Sequence, residues 1–252
     1  MLSKNKIKLI QSLSRKKNRE ETGLFLVEGN KLVEEAIRSD FEIQFIACTN
    51  TFLKQYPEAF HRSKKLIETD AESIQKASLL QNPQDALAII SQPQTDNTEY
   101  DPKNELYLAL DFIQDPGNLG TILRVADWFG IKAVFCSENT VDVFNPKVVQ
   151  ASMGAIFRVK TSTVDLPGFL KTMKNEEIPV YGTFLEGKNI YTETLTSNGI
   201  IVLGNEGNGI TPETAGLVSH QISIPSFSSG KGSESLNVAI AAAICCSEFR
   251  RR

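Results

Sequence analysis

Histidine is nearly absent from the 252-residue chain, which has only His61 and His220, and cysteine is sparse, with Cys48, Cys136, Cys245 and Cys246. The cysteines form no C-x-x-C pair and both histidines lie far from them in sequence, so neither the spacing nor the inventory supports a structural zinc site. The same scarcity weighs against a Ser-His-Asp hydrolase. All four cysteines read as small, reduced core residues. Long hydrophobic runs are missing too. The longest apolar stretch, residues 238–246, has nine residues, about half of the roughly 20 needed to cross a bilayer. The first twenty residues lack the apolar core of a secretory signal, so a cytosolic protein without a membrane partner is expected.

A surplus of positive charge is also lacking, since the formal net charge is −3, which argues against indiscriminate coating of nucleic acid. The distribution is uneven, however. Residues 1–19 hold Lys4, Lys6, Lys8, Arg15, Lys16, Lys17 and Arg19 with no acidic residue, while the other 233 carry 20 basic and 30 acidic residues. That end is a candidate phosphate-facing segment, the alternative being a solvated basic helix.

Residues 91–105 contain two prolines, four acidic residues and one aromatic, with no aliphatic side chain to bury. They read as a linker, dividing the chain into a small α/β domain at 1–91, a connection at 92–104 and a larger α/β domain at 105–252. In the first, strands are expected at 24–28, 43–47, 65–68 and 86–90, with helices at 31–38 and 72–78. In the second, strands at 106–111, 132–135, 156–159, 180–183, 200–204 and 222–224 alternate with helices at 119–129, 146–152, 166–174 and from about Ser235 onward. Such alternation implies a mostly parallel sheet covered on both faces, with ligands collecting at the carboxyl ends of its strands.

Three segments occupy such positions. Asp115-Pro-Gly-Asn118-Leu-Gly-Thr-Ile-Leu-Arg124 follows a strand and opens an amphipathic helix; its apolar Ile122, Val125, Ala126 and Phe129 put Arg124 on another face. Gly204-Asn-Glu206-Gly-Asn-Gly209 ends a hydrophobic strand in a loop whose glycines allow close backbone approach to a ligand. It matches neither G-x-G-x-x-G nor a Walker loop, and Glu206 suits a hydroxyl or cation better than a phosphate. The third runs from Ile224-Pro225 to Ser235-Leu236-Asn237. Its Gly230-Lys231 fails the Walker pattern at Pro225 and Gly232. Here Ser235 or Ser233 could simply cap the helix and Asn237 face water.

In this order, N118-x-G-x-x-x-R124, L203-G-N-E206-G-N-G209 and I224-P…S235-L-N237-V-A resemble the three signature motifs of the SpoU-type (TrmH-like) RNA 2′-O-ribose methyltransferases of the SPOUT class. The stretch from Arg19 to Gly29 is similar to the start of the ribosomal-protein-L30e-like substrate-binding domain common in that family. The resemblance implies a catalytic α/β domain containing a trefoil knot, S-adenosylmethionine (SAM) as methyl donor without a metal, and a homodimer whose active sites lie at the subunit interface. It places Gly204, Ile224 and Leu236, with Thr183 as a weaker addition, around SAM. Arg124 would reach toward the partner's methyl donor, and Asn118, Glu206, Ser235 and Asn237 would hold the hydroxyl and loops in register. The 225–235 loop is longer than the family's usual one and lacks its methionine, so adjusted contacts are expected there.

The expected substrate is structured RNA, ribosomal RNA ahead of transfer RNA, with the first domain binding phosphate and shape. A free guanidinium is too weak a base to deprotonate an alcohol, so the expected role of Arg124 is to position. The alternatives from other classes are a catalytically silent RNA-binding protein of the same fold and a nucleotide-dependent enzyme using the glycine loop; SAM and ATP binding discriminate them.

Overall fold

The computed structural model describes residues 2–93, 100–228 and 235–251. Part of the linker and most of the 225–235 loop, Ser233 included, lie outside the described residues. Two compact units emerge: Met1–Asp96 with Asp142–Arg158, and Asn97–Val141 with Val159–Arg252.

The first unit begins with helices α1 (Lys4–Ser12) and α2 (Lys16–Thr22), followed by β1 (Leu24–Glu28), α3 (Asn30–Arg38), β2 (Ile43–Cys48), α4 (Asn50–Gln55), α5 (Ala59–Arg62), β3 (Leu66–Glu68), α6 (Ala71–Ala77) and β4 (Ala86–Ser91). The strands form a mixed sheet in the order β1-β4-β2-β3, with only β2 and β3 parallel. Ile10 and Leu13 bury against Leu26, Phe45, Leu87 and Ile89, so the helical leader is anchored by its apolar face, each such side chain contributing about 1.5–3 kcal/mol. Arg19 departs from the expected phosphate-facing cluster: it is only 2% exposed. Its guanidinium donates from Nε and Nη2 to Asp142 and from Nη1 to the Leu13 carbonyl. Lys16 and Lys17 pair with Glu20 and Glu21 one turn on, which leaves Lys4, Lys8 and Arg15 as its exposed cations without a salt bridge among the described residues.

The second unit runs β5 (Leu106–Leu110), α7 (Pro116–Trp128) and β6 (Ala133–Ser137); the chain then contributes α8 (Pro146–Ser152) to the first unit. It resumes with β7 (Lys160–Val164), α9 (Leu166–Asn175), β8 (Val180–Asn189), β9 (Gly199–Leu203), α10 (Pro212–Ala215), β10 (His220–Ser223) and α11 (Val238–Arg250). Every strand pair is parallel, in the order β10-β8-β9-β5-β6-β7. The central β5 and β9 are buried throughout, as strands covered on both faces must be. From β5 the chain winds outward through β6 and β7, then crosses to β8 and inserts β9 beside β5. The order thus reverses between β5 and β9, and the carboxyl edge at such a reversal is where open α/β sheets bind ligands.

The strand expected at 156–159 is instead a short 3-10 turn at Ala155–Phe157, and the edge strand starts at Lys160. Gly154, at φ 92°, turns the chain, and Phe157 packs its ring edge-on against Phe41 at 5.3 Å. Those apolar side chains serve the first unit's core and not a strand. The last helix starts at Val238, with Asn237 as its cap in place of Ser235 or Ser233.

Candidate active site

Three loops leave the carboxyl edge, two from the adjacent strands β5 and β9 and one from β10 on the far side of β8. Asp115 caps α7, its carboxylate accepting from the Asn118 backbone N–H at 2.8 Å, with Pro116 pre-set in the first turn; such a cap is worth about 1 kcal/mol. Asn118 therefore stands at the start of α7 with its side chain free to reach across. Its Nδ2 donates to Glu206 Oε1 at 2.9 Å, and its Oδ1 accepts from Asn237 Nδ2 at 2.9 Å. Asn237 Oδ1 in turn accepts from the backbone N–H groups of Ala239 and Ile240 at the head of α11. Reversing either amide would set oxygen against oxygen or N–H against N–H, so the carboxylate and the helix end together fix both orientations.

Arg124 lies two turns along α7 on the exposed face, and its guanidinium has no hydrogen-bond or ion-pair partner among the described residues. It is not joined to the Asn118 chain of bonds. Ser235 is exposed and lies two residues before the cap. Among the residues expected around SAM, Gly204 leaves the end of β9, Ile224 follows β10 and Thr183 lies in β8 between those strands. Gly204 and Ile224 are half-buried, and Leu236 is 50% exposed just ahead of Asn237. The Thr183 hydroxyl donates to the Val202 carbonyl at 3.1 Å, so it braces β8 against β9. Gly204, Ile224 and Leu236 sit on segments that leave the carboxyl ends of β9 and β10 and offer backbone groups and aliphatic surface, chemistry that fits SAM. Among the described residues no three metal-ligating side chains cluster, and no helix is long and apolar enough to cross a membrane.

Sequence reasoning overlooked the residues that brace this site. Asp111, 4% exposed, accepts from the Thr211 N–H and hydroxyl, each at 2.8 Å. Asn205 donates from Nδ2 to the Phe112 carbonyl at 2.8 Å and accepts at Oδ1 from the N–H groups of Gly207 and Asn208. Gly204 must be glycine, because a Cβ there would sit 2.3 Å from the backbone of Gly209 and Ile210.

Comparison with known proteins identifies the family. Residues 105–247 match the SpoU rRNA Methylase family and residues 4–88 the MRM3-like substrate binding domain. The chain is 31% identical over 246 residues to a Bacillus subtilis 23S rRNA (guanosine(2553)-2′-O)-methyltransferase, covering 97% of this chain and 96% of that protein. A TrmH-family chain from Porphyromonas gingivalis superposes with a TM-score of 0.86 at 40% identity, over 100% of this chain and 99% of that one. An AdoMet-bound rRNA methyltransferase from Sinorhizobium meliloti gives a TM-score of 0.88 at 30% identity, over 100% and 97%. With a family model matching residues 105–247, more than half of its length, and a full-length relative at 31% identity, the chain belongs to the SpoU rRNA methylase family.

Proposed function

We propose that this chain is a SAM-dependent cytosolic methyltransferase that modifies a ribose 2′-hydroxyl of ribosomal RNA and works as a homodimer. The observation that carries the reading is the Glu206–Asn118–Asn237 chain of hydrogen bonds, which joins three separate loops at the switch point of the sheet.

When bound, SAM supplies a sulfonium methyl whose leaving thioether is neutral, so the transfer needs no metal. Gly204, Ile224 and Leu236 would hold it. The difficult partner is the alcohol, scarcely ionised at neutral pH, which must be oriented and must give up its proton to water or a neighbouring base as the bond to the methyl carbon forms and the thioether leaves. Arg124, exposed and without a partner among the described residues, grips a phosphate beside the target ribose in a bidentate fashion and stabilises developing alkoxide charge. Glu206, Asn118 and Asn237 hold the loops in register, with Ser235 at the edge of the same loop. A second copy covers the apolar surface left by Trp128, Leu236 and Ile240, which are 84%, 50% and 52% exposed. Lys4, Lys8 and Arg15 of the first unit contribute salt-sensitive phosphate contacts.

Calorimetric titration with SAM, sedimentation of the free protein and in vitro methylation of rRNA test the reading. Micromolar SAM binding by a dimer and methyl incorporation at a ribose are expected. A strictly monomeric protein blind to SAM overturns it.

A further inference from the structure

Resting on that reading, we infer that Asn205 is a positioning residue that fastens the glycine loop and the Asn118 loop to one another and thereby presets the SAM site. Its side chain makes three hydrogen bonds in two directions. Inward, Oδ1 collects the N–H groups of Gly207 at 2.9 Å and Asn208 at 3.0 Å, while the backbone of Asn205 exchanges two 2.9 Å bonds with Gly209. These bonds close residues 205–209 into a small ring that sets the direction of Glu206. Outward, Nδ2 donates to the carbonyl of Phe112, at the exit of the neighbouring strand β5.

Phe112 is the informative partner. It is one of three non-glycine residues with positive φ among the described residues, at 64°, a conformation that a bulky side chain adopts only when its surroundings enforce it. Here both backbone polar groups are claimed by side chains: the N–H donates to Ser137 Oγ at 2.9 Å from β6, and the carbonyl accepts from Asn205 beyond β9. Three adjacent strands are therefore tied at their carboxyl edge through one strained residue. That residue turns the chain toward Asp115 and Asn118. Asn205 thus acts on both ends of the Asn118–Glu206 bond without contacting the reacting atoms itself.

The test uses the full-length protein and its Asn205→Ala and Asn205→Asp variants, reading amide hydrogen exchange at Gly207 and Asn208, SAM affinity by calorimetry, and steady-state kinetics. For Asn205→Ala the expected results are a roughly tenfold loss of protection at both amides and a rise of at least tenfold in SAM Kd and KM, with kcat at saturating SAM falling by no more than the roughly tenfold expected for loss of the Asn118–Glu206 bond itself. Asn205→Asp keeps the two accepting contacts and loses the donation to Phe112; protection is retained while SAM Kd still rises. Should Asn205→Ala fail to fold, Asn205→Asp decides alone. Unchanged protection in the alanine variant, or unchanged SAM Kd in either, overturns the assignment. A parent protein that itself binds no SAM defeats the methyltransferase reading instead.

Discussion

Two arginines, Arg19 in α2 and Arg124 in α7, show how differently the two units use the same side chain. Arg19 is sealed in the first unit, where its charge is matched by Asp142, 17% exposed, and its remaining donor by the Leu13 carbonyl. Arg124 stands on an open helix face with nothing paired to it among the described residues. A buried guanidinium must be paired or its desolvation dominates. An exposed one can wait for a phosphate at little cost. The first unit therefore uses a cation to hold its fold, and the second leaves one exposed, as the proposed phosphate grip requires.

The largest expected effect comes from breaking the buried pair. Arg19→Ala strands the Asp142 carboxylate and should cost about 3–5 kcal/mol of stability, while a double replacement by Met at 19 and Leu at 142 should restore most of it; chemical denaturation measures both. Arg124→Ala should do the reverse, lowering kcat about 10²–10³-fold with an unchanged melting temperature. If it melts early, the contrast between the two arginines fails. Arg124→Lys sharpens the point: near-full turnover with unchanged RNA affinity would rule out a bidentate grip.

Smaller effects separate the remaining parts. Asn118→Ala removes the middle of the exposed chain of bonds and should lower kcat about tenfold, or ~1.4 kcal/mol. Replacing Lys4, Lys8 and Arg15 together by Gln should weaken RNA binding several-fold at low salt and flatten its salt dependence, with turnover at saturating RNA preserved. The smallest effect concerns Cys136 in β6, where burial pushes the thiol up from its ordinary value near 9 to about 12. The folded protein holds this proton more tightly than the unfolded chain. The resulting stabilisation is complete below about pH 9 and is lost as pH rises toward 12. Native Cys136 should accordingly resist alkylation at pH 8 and react once the protein is denatured.

Much of the second unit was legible because its signals are local. The apolar runs at 106–110 and 200–203 could only be buried strands, and Asp115-Pro116 announces a helix start. The glycine loop was legible for the same reason. What escaped depends on partners distant in sequence. Arg19 looks like part of a basic leader until Asp142 arrives, and Ile156-Phe157 looks like a strand until Phe41 claims the ring. The family resemblance places Asn237 in the site, but its part as helix cap has no local signal, because its partners are a helix end and an asparagine at 118. Asn205 carries no signal of its own, since the Phe112 carbonyl that it holds has no sequence signature. The sheet order, with β9 inserted beside β5, has no local signal and was reachable only through family resemblance.

The central claim is that the exposed Arg124 and the bonded loops beside it place a methyl on an rRNA ribose. It is tested most directly by mapping 2′-O-methyl groups across total RNA from cells lacking this protein, resupplied with either the parent chain or Arg124→Ala. The account predicts one ribosomal RNA ribose that is methylated with the parent and bare with the variant. An identical methylation map in all three samples, or a site restored equally by Arg124→Ala, would contradict it.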